Sequence, residues 1–303
     1  MIANWHPKNL DRVVRKVLEA QGYDVDGLIQ NKDSYYKVYA IPKKDGSKRM
    51  ITAPDKKMKE ALRIVDGVLR EVGPWPSPFA HGFKKNRSAV TNALAHTHDG
   101  NVKVLLAMDI RNFFPNIRKD RIVELYGEIV GELCTFHDRA GQGIPTSPWI
   151  SNVILTKMDY ETYNWCLHQS PKLRYTRYAD DITISSKENC DMGKVKSKVR
   201  KIIRKYGFDI KPQKTRIQRP HQRMMITGIV INEHMGVPKV YRRKVRAAIH
   251  NLKYSVEKDE GKIQEIQGKI AWIQAANKEQ GVKLKGDLIE AIAFEPTLDT
   301  STA

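Results

Sequence analysis

Two adjacent acidic residues, Asp180 and Asp181, lie at the hinge between two segments that alternate apolar and polar side chains, as half-buried strands do. Neighbouring carboxylates raise each other's pKa unless a cation holds them, and hard divalent cations with oxygen ligands are the usual partner. A solvated acidic turn is the simpler interpretation of an arbitrary pair. Here an aromatic strand ends at Tyr178 and a β-branched strand begins at Ile182, so the pattern favours a metal-binding turn.

A third carboxylate, Asp109, ends the apolar segment that begins at Val102. Functional carboxylates tend to lie at the carboxyl ends of strands. If this strand lies beside the acidic hairpin, Asp109, Asp180 and Asp181 converge. Three convergent carboxylates can hold two Mg²⁺ ions, which activate a hydroxyl nucleophile and stabilise a leaving oxygen in phosphoryl transfer. Taken alone, Asp109 is equally well explained as a residue that caps a strand.

The elements that must position these acids are predicted from the spacing of apolar residues. Alternation predicts strands over 35–41, 49–52, 173–178 and 182–185, with a turn at 43–46. An apolar run predicts a buried strand over 102–109. Helical spacing predicts helices over 10–20, 57–72, 89–97, 119–130, 147–167, 193–206 and 262–276. From about Val240 the chain is predicted to be helical only, and the tail after Pro296 to be disordered.

The composition limits the class of protein. The 303 residues include 53 Lys and Arg against 34 Asp and Glu, a net charge of +19, which predicts nucleic acid or an anionic membrane surface as partner. No apolar run approaches the roughly 20 residues of a spanning helix, and the first residues lack the order of a signal peptide. The cysteines match no metal or redox spacing. We therefore expect an intracellular nucleic-acid-binding protein without membrane attachment.

Four segments resemble, in order and spacing, the palm motifs of reverse transcriptases. They are Asp109–Phe114, Gln142–Pro148, Tyr178–Asp181 and Lys214–Thr215. The resemblance extends from about residue 35 to residue 232. It implies an α+β fold shaped as a right hand, with fingers and an N-terminal helix over 1–100, an RRM-like palm over 101–235 and a helical thumb over 236–303. The palm would combine an antiparallel sheet with helices, including a helical segment at about 119–167.

The same resemblance implies roles for individual residues. Asp109 and Asp180 would be the principal metal ligands, with Asp181 assisting, and the ions would be two Mg²⁺ that Mn²⁺ can replace. Lys214 would lie near the pyrophosphate leaving group. The incoming deoxynucleotide would be bound by Lys43, Arg49, Phe114, Gln142 and Gly143, with the phenyl ring crowding the sugar 2′ position. For the two basic residues, a solvated hairpin is the competing interpretation.

Two shorter segments resemble retron reverse transcriptases in particular. Asn92–His96 fits the NAxxH signature upstream of Asp109, and Ile226–Gly228 is similar to the VTG element downstream, with Ile in place of Val. Asn92 and His96 are expected to bind RNA, although a single histidine more often packs or caps a helix. One departure is the Ala140-Gly141 pair, where the family usually has Leu-Pro.

A basic cluster marks the segment from Lys239 to Lys253. Its apolar residues share one helical face, which leaves the basic residues on the other. Contacts of such residues to backbone phosphates give affinity rather than base reading. A solvated face is the simpler interpretation of any single lysine, but the cluster favours RNA binding by Arg242, Arg243, Lys244, Arg246 and Lys253.

The resemblance implies a bacterial, cytoplasmic RNA-directed DNA polymerase. It would bind its own structured non-coding RNA and copy part of it from dNTPs into single-stranded DNA (msDNA), primed by a guanosine 2′-hydroxyl, leaving a branched RNA–DNA product. It would act in anti-phage defence beside a separate effector protein. The alternatives are another small prokaryotic reverse transcriptase (group II intron-like or abortive-infection type), a non-catalytic RNA-binding protein and a metal-dependent nuclease.

Overall fold

The computed structural model describes residues 6–43 and 46–294. The turn predicted at 43–46 therefore falls partly outside the described residues, and the tail after Pro296 falls wholly outside them. The first described elements are α1 (Pro7–Ala20), α2 (Val25–Gln30), β1 (Tyr36–Pro42), β2 (Lys48–Pro54) and α3 (Lys56–Val72). Strands β1 and β2 form the predicted antiparallel hairpin. The prediction is confirmed for these elements except α2, which it missed.

The two long helices of this region form for local reasons. In α1, Leu10, Val14 and Leu18 fall on one face and are buried, as an amphipathic pattern requires. In α3, the side chain of Asp55 accepts a hydrogen bond from the Met58 amide and so caps the first turn. Both helices contribute buried side chains to one hydrophobic core.

Four antiparallel strands form the sheet that carries the acids, in the order β4–β5–β3–β6. Their bounds are β3 (Val104–Asp109), β4 (Arg174–Tyr178), β5 (Asp181–Ser186) and β6 (Arg216–Gln218). Strands β4 and β5 form the predicted hairpin, and β3 lies beside it with Asp109 directly opposite Asp181. Side chains alternate across β3, so Val104 and Leu106 enter one core and Leu105 enters another.

Two helices predicted as continuous are broken. The structure has α4 (Ala89–Thr97), α5 (Lys119–Tyr126), α6 (Glu128–Leu133), α7 (Ser147–Ile154), α8 (Thr156–Leu167) and α9 (Met192–Lys205). Single helices over 119–130 and 147–167 are therefore wrong. Gly127 has a φ of 99°, which an α-helix does not allow, and Leu155 has a ψ of 0°. The helices predicted at 89–97 and 193–206 are confirmed.

The last third begins with a short hairpin and ends in three helices. These elements are β7 (Met225–Ile226), β8 (Ile229–Val230), α10 (Lys239–Lys253), α11 (Glu260–Ala276) and α12 (Lys278–Ala293). The prediction of helices alone after Val240 is confirmed within the described residues. Strands β6, β7 and β8 were not predicted, because two or three residues are too few to show alternation.

Two hydrophobic cores hold these elements together. The first runs from Leu10 to Ile210 and joins the amino-terminal helices to one face of the sheet. The second runs from Ala93 to Ala291 and joins α4, the other face of the sheet and α10–α12. The described residues thus form the predicted α+β fold, while boundaries at residues 100 and 235 stay predictions. None of the helices described combines the length and apolar character needed to cross a membrane.

Candidate active site

The turn between β4 and β5 fixes the backbone at Asp180. Tyr178 pairs with Asp181 across the hairpin, so Ala179 and Asp180 form a two-residue turn. Ala179 takes a left-handed conformation with a φ of 55°, which suits the twist of such turns. The amide of Ile110, directly after β3, donates to the Asp180 carbonyl at 2.9 Å. The turn is thereby attached to the end of the strand that carries Asp109.

Asp109 is buried and paired with a lysine. The residue is 6% exposed, and Lys214 Nζ donates to its Oδ2 at 2.5 Å. A short helical turn, Pro212–Lys214, carries the lysine, and the Lys211 amide just before it donates to the Asp109 carbonyl at 2.7 Å. The hydrogen bond to Asp109 raises the pKa of Lys214, so the ammonium stays charged at neutral pH.

Burial and mutual repulsion disfavour the ionised carboxylates at this site. Burial, followed by the charge of Asp109, raises the pKa of Asp180 above its usual value. Burial, followed by the charges of Asp180 and Asp109, raises the pKa of Asp181 to about 6. A nearby cation has the opposite effect on a carboxyl pKa. Lys214 lowers the pKa of both carboxyl groups and Arg49 lowers that of Asp180, but burial and repulsion outweigh them. A cation bound directly by the carboxylates would stabilise their ionised forms.

Asp109 and Asp180 match the way proteins hold Mg²⁺, through one or two carboxylates completed by water and substrate phosphates. Within residues 6–43 and 46–294, no set of three or more His, Cys, Asp and Glu side chains could hold a metal ion on its own. Asp181 lies opposite Asp109 in the register but does not line the cleft that the other two share. The predicted convergence is thus seen for two carboxylates, and the metal-binding roles stay predictions.

This cleft, of about 460 Å³, collects the residues that were predicted to bind a nucleotide. The Phe114 ring lies against Phe113, with 5.1 Å between ring centroids, and Phe113 itself is buried in the first core. The phenyl ring is therefore backed by packed protein. Together with Asp109, Asp180 and Lys214, the cleft is lined by Lys43, Arg49, Phe114, Gln142 and Gly143.

The loop that carries Gln142 and Gly143 is held against strand β2. The Thr52 amide donates to the Gln142 carbonyl at 2.8 Å. Gly143 has a φ of 113°, and a Cβ at this position would lie 2.6 Å from the Thr52 carbonyl oxygen. Only glycine combines that backbone conformation with so close an approach. Gln142 and Gly143 thus connect the hairpin that carries Lys43 and Arg49 to the cleft that Asp109 and Asp180 also line.

Asn92 and His96 are fully buried, so the prediction that they contact RNA is wrong for this structure. The ring of His96 bonds to Ser185 Oγ at 2.6 Å and to Thr176 Oγ1 at 2.8 Å, which joins both strands of the β4–β5 hairpin. Asn92 Nδ2 donates to Thr227 Oγ1 at 3.4 Å. The reason for the error is burial: α4 packs against the sheet as part of the second core, and the motif residues face inward.

The basic residues of α10 divide into two groups. Arg243, Lys244 and Arg246 are exposed, as binding to a phosphate backbone requires. Arg242 is half-buried, and the ammonium of Lys253 lies 4.7 Å from the centroid of the Phe294 ring. RNA binding by all five stays a prediction, but the structure leaves three of them fully available to a ligand.

One group near the site was missed by the sequence predictions. Arg177 and Asp159 form an ion pair of 2.8 Å in which neither side chain is exposed to solvent. The signal was present, because Arg177 follows the buried Tyr175 by two residues and so occupies an inward position of β4. A charged residue at such a position needs a buried partner, but the sequence does not identify it.

Comparison with known proteins assigns these features to a family. A family model described as reverse transcriptase (RNA-dependent DNA polymerase) matches residues 41–231, which agrees with the resemblance predicted from about residue 35 to residue 232. The chain is 30% identical over 239 residues to the retron Ec86 reverse transcriptase of Escherichia coli, covering 74% of this chain and 72% of that protein.

Two further comparisons differ in coverage. The chain is 30% identical over 277 residues to the retron Mx65 reverse transcriptase of Myxococcus xanthus, covering 82% of this chain but 63% of that protein. It therefore spans less than two thirds of that relative's length. The structure of apo telomerase from Candida tropicalis matches with a TM-score of 0.51 at 12% identity, covering 87% of this chain and 60% of that one. This last likeness concerns the fold alone.

Proposed function

This chain belongs to the reverse transcriptase family, and within it to the retron reverse transcriptases, and on that premise we propose that it copies RNA into DNA. The observation that carries the proposal is the shared cleft of Asp109, Asp180, Lys214, Phe114 and Gln142. A non-catalytic RNA-binding protein has no need of buried carboxylates, because burial penalises their charge. A nuclease could use the acids but leaves the phenyl ring and the glutamine unexplained.

Five residues of the cleft have a task in nucleotide transfer. Lys43 and Arg49 bind the triphosphate through charge, Phe114 lies against the sugar where a 2′-hydroxyl would project, and Gln142 contacts the incoming nucleotide and the template. Holding the nucleotide and the primer hydroxyl together supplies much of the rate enhancement by itself. The hydroxyl attacks the α-phosphorus, and pyrophosphate leaves beside the Lys214 ammonium, which balances the developing negative charge.

Two Mg²⁺ ions, which Mn²⁺ can replace, would be held by Asp109 and Asp180, with Asp181 assisting. Such ions supply positive charge to phosphoryl oxygens and lower the pKa of an attacking hydroxyl. Lys214 Nζ donates to Asp109 Oδ2, so the lysine and a cation bound by Asp109 would share one carboxylate. The ammonium would then lie beside the bound ion, close to where the leaving group departs.

The retron assignment defines the finer proposal. The protein binds its cognate structured non-coding RNA and copies part of it into single-stranded DNA, primed from a guanosine 2′-hydroxyl, in anti-phage defence beside a separate effector protein. The exposed residues Arg243, Lys244 and Arg246 grip the RNA backbone. Support for this level comes from the likeness to retron Ec86 reverse transcriptase over 72% of that protein.

Isolation of the nucleic acid made in cells tests the proposal. The gene is expressed with its flanking DNA, the protein is purified, and the bound nucleic acid is treated with protease, then with ribonuclease or debranching enzyme. We expect DNA attached to RNA, shortened by ribonuclease and released by debranching. Asp180→Asn should abolish this DNA, while Asp33→Asn, an exposed carboxyl outside the cleft, should not.

Two results would contradict the proposal at different levels. DNA with a free 5′ end, or DNA linked to protein, would indicate another small prokaryotic reverse transcriptase and refute the retron priming. Undiminished DNA in Asp180→Asn would refute the assignment of this cleft to the chemistry.

A further inference from the structure

A fully buried arginine lies directly behind the catalytic turn. Arg177 is 0% exposed and does not line the cleft, so it has no access to a substrate. Its Nε and Nη2 donate to the two oxygens of Asp159, each at 2.8 Å. Its Nη1 donates to Asn152 Oδ1 and to the Ala179 carbonyl, each at 3.0 Å. Three partners from different elements therefore share one guanidinium group.

Asp159 connects this guanidinium to the rest of the palm. Beyond the fork from Arg177, its carboxylate accepts from Ser77 Oγ at 2.5 Å and from the Tyr175 hydroxyl at 2.6 Å. The buried charge is thus fully paired, as a charge removed from water must be. Ser77 lies before α4, Asp159 in α8 and Tyr175 in β4. Three separate segments therefore hold the carboxylate in place beside Arg177.

Asn152 extends the same network to the other side of the turn. Its Nδ2 donates to the Gly82 carbonyl at 2.7 Å. Gly82 lies so near the hairpin that a Cβ there would be 2.8 Å from the Ala179 amide nitrogen. Ala179 is therefore enclosed, with the backbone of Gly82 at its amide and Arg177 at its carbonyl.

Ala179 is the residue that needs this support. Its φ of 55° places it in the left-handed region, which costs free energy for any residue with a Cβ and persists where surrounding contacts impose it. Its carbonyl belongs to the peptide unit that leads into Asp180. The hydrogen bond from Arg177 therefore sets the orientation of the peptide that carries the predicted metal ligand.

We propose that Arg177, held by Asp159 and Asn152, is a positioning residue that fixes the Ala179 peptide and so aims the Asp180 carboxylate into the cleft. Buried ion pairs contribute little net stability compared with apolar packing, so the network is better explained by the geometry it imposes. Arg177 acts through the backbone and touches no reacting atom. The inference rests on the proposed function, since the aim of Asp180 matters for metal-dependent transfer.

Arg177→Lys tests the proposal in the full-length protein. Lysine keeps the charge beside Asp159 but lacks the planar fork that also reaches the Ala179 carbonyl. Mn²⁺ binding to nucleic-acid-free protein is measured by electron paramagnetic resonance, and kcat and KM for dTTP are measured by primer extension. Changes in residues that orient metal ligands typically cost about 10–100-fold in affinity or activity. We expect the Mn²⁺ Kd to rise and kcat to fall by about tenfold or more, with KM changed less than about twofold because the nucleotide contacts remain.

Matched variants separate positioning from general loss of packing. Arg15→Lys also removes a bidentate arginine–aspartate pair, with Asp26, but Arg15 lies in α1 and does not line the cleft. It should leave the Mn²⁺ Kd and kcat unchanged. A folded Arg177→Lys protein with the Mn²⁺ Kd and kcat of the wild type would overturn the proposal. Wild-type protein that binds Mn²⁺ but extends no primer would overturn the proposed function, while the contrast in Mn²⁺ affinity would still support the positioning role.

If Arg177→Lys does not fold, a pair of tyrosine variants decides. Tyr175→Phe removes only the hydroxyl that donates to Asp159, whereas Tyr126→Phe removes an equally buried hydroxyl that has no hydrogen-bond partner among the described residues. The first should raise the Mn²⁺ Kd by about threefold and the second should not change it. Equal Mn²⁺ affinities for the two variants would overturn the proposal.

Discussion

Acidification should destabilise this protein through His96, whose ring bonds to one side chain on each strand of the β4–β5 hairpin. Burial, followed by the charges of Arg174, His81 and His98, lowers the pKa of His96 from 6.5 to about 3. The ring is therefore neutral in the folded protein at pH 5 and protonated in the unfolded chain. Because the unfolded state then binds more protons, stability is present above pH 6.5 and is lost as the pH falls toward 3.

The magnitude follows from the two pKa values. Between pH 7 and pH 5, a group with pKa 6.5 when unfolded and about 3 when folded costs about 2 kcal/mol of unfolding free energy. The folded value hardly affects this result, because any folded pKa below about 4 leaves the ring neutral at pH 5. His81, whose pKa burial lowers to about 4, adds a similar loss of its own.

Urea unfolding at pH 7, 6 and 5 measures the effect, and comparison with His96→Gln isolates it. Glutamine can still donate and accept hydrogen bonds near Thr176 and Ser185 but does not titrate. The variant should start less stable at pH 7 and lose about 2 kcal/mol less than the wild type on acidification. The contributions of His81 and of surface groups cancel in the difference. Equal losses in the two proteins would refute the burial of a neutral His96.

Two further predictions concern the cleft and helix α10. Gly143→Ala places a Cβ 2.6 Å from the Thr52 carbonyl oxygen. Because moving the loop away costs on the order of 1–3 kcal/mol, the KM for dTTP should rise about tenfold in primer extension. Gly22→Ala, at a φ of 80° with no described atom within 4 Å, should leave the KM unchanged, and equal KM values in the two variants would contradict the role of the loop. The affinity for RNA falls with salt, and replacing Arg243, Lys244 and Arg246 by Gln should make the slope of log affinity against log salt less steep by about 2 to 3. The same change at three exposed basic residues of α1 should leave the slope unchanged; these are Lys8, Arg12 and Lys16. Equal slopes in the two triple variants would contradict RNA binding by α10.

The site was predictable to the extent that its chemistry is local. The hairpin around Asp180, the strand that ends at Asp109 and helix α4 follow from alternation and helical spacing, which are properties of neighbouring residues. The motifs predicted the composition of the cleft because their order matches a known family. In the structure, Lys43 and Gln142 reach the cleft from separate segments of the chain.

What the sequence did not predict depends on contacts between distant residues. Asp159, the partner of Arg177, lies 18 positions earlier in helix α8, and no local pattern identifies it. His96 was expected to bind RNA, but its inward direction is set by the packing of α4 against the sheet, within the second core. The broken helix at Gly127 depends on a left-handed backbone that helical spacing does not reveal.

Primer extension on poly(rA)–oligo(dT) with Mg²⁺ tests the central claim most directly. Purified wild-type protein should incorporate dTTP, and removal of Mg²⁺ by EDTA should stop it. Asp180→Asn should lose the activity while Asp33→Asn retains it, since only the first alters the cleft. Incorporation that persists in Asp180→Asn, or a folded wild-type protein that incorporates no dTTP, would contradict the account.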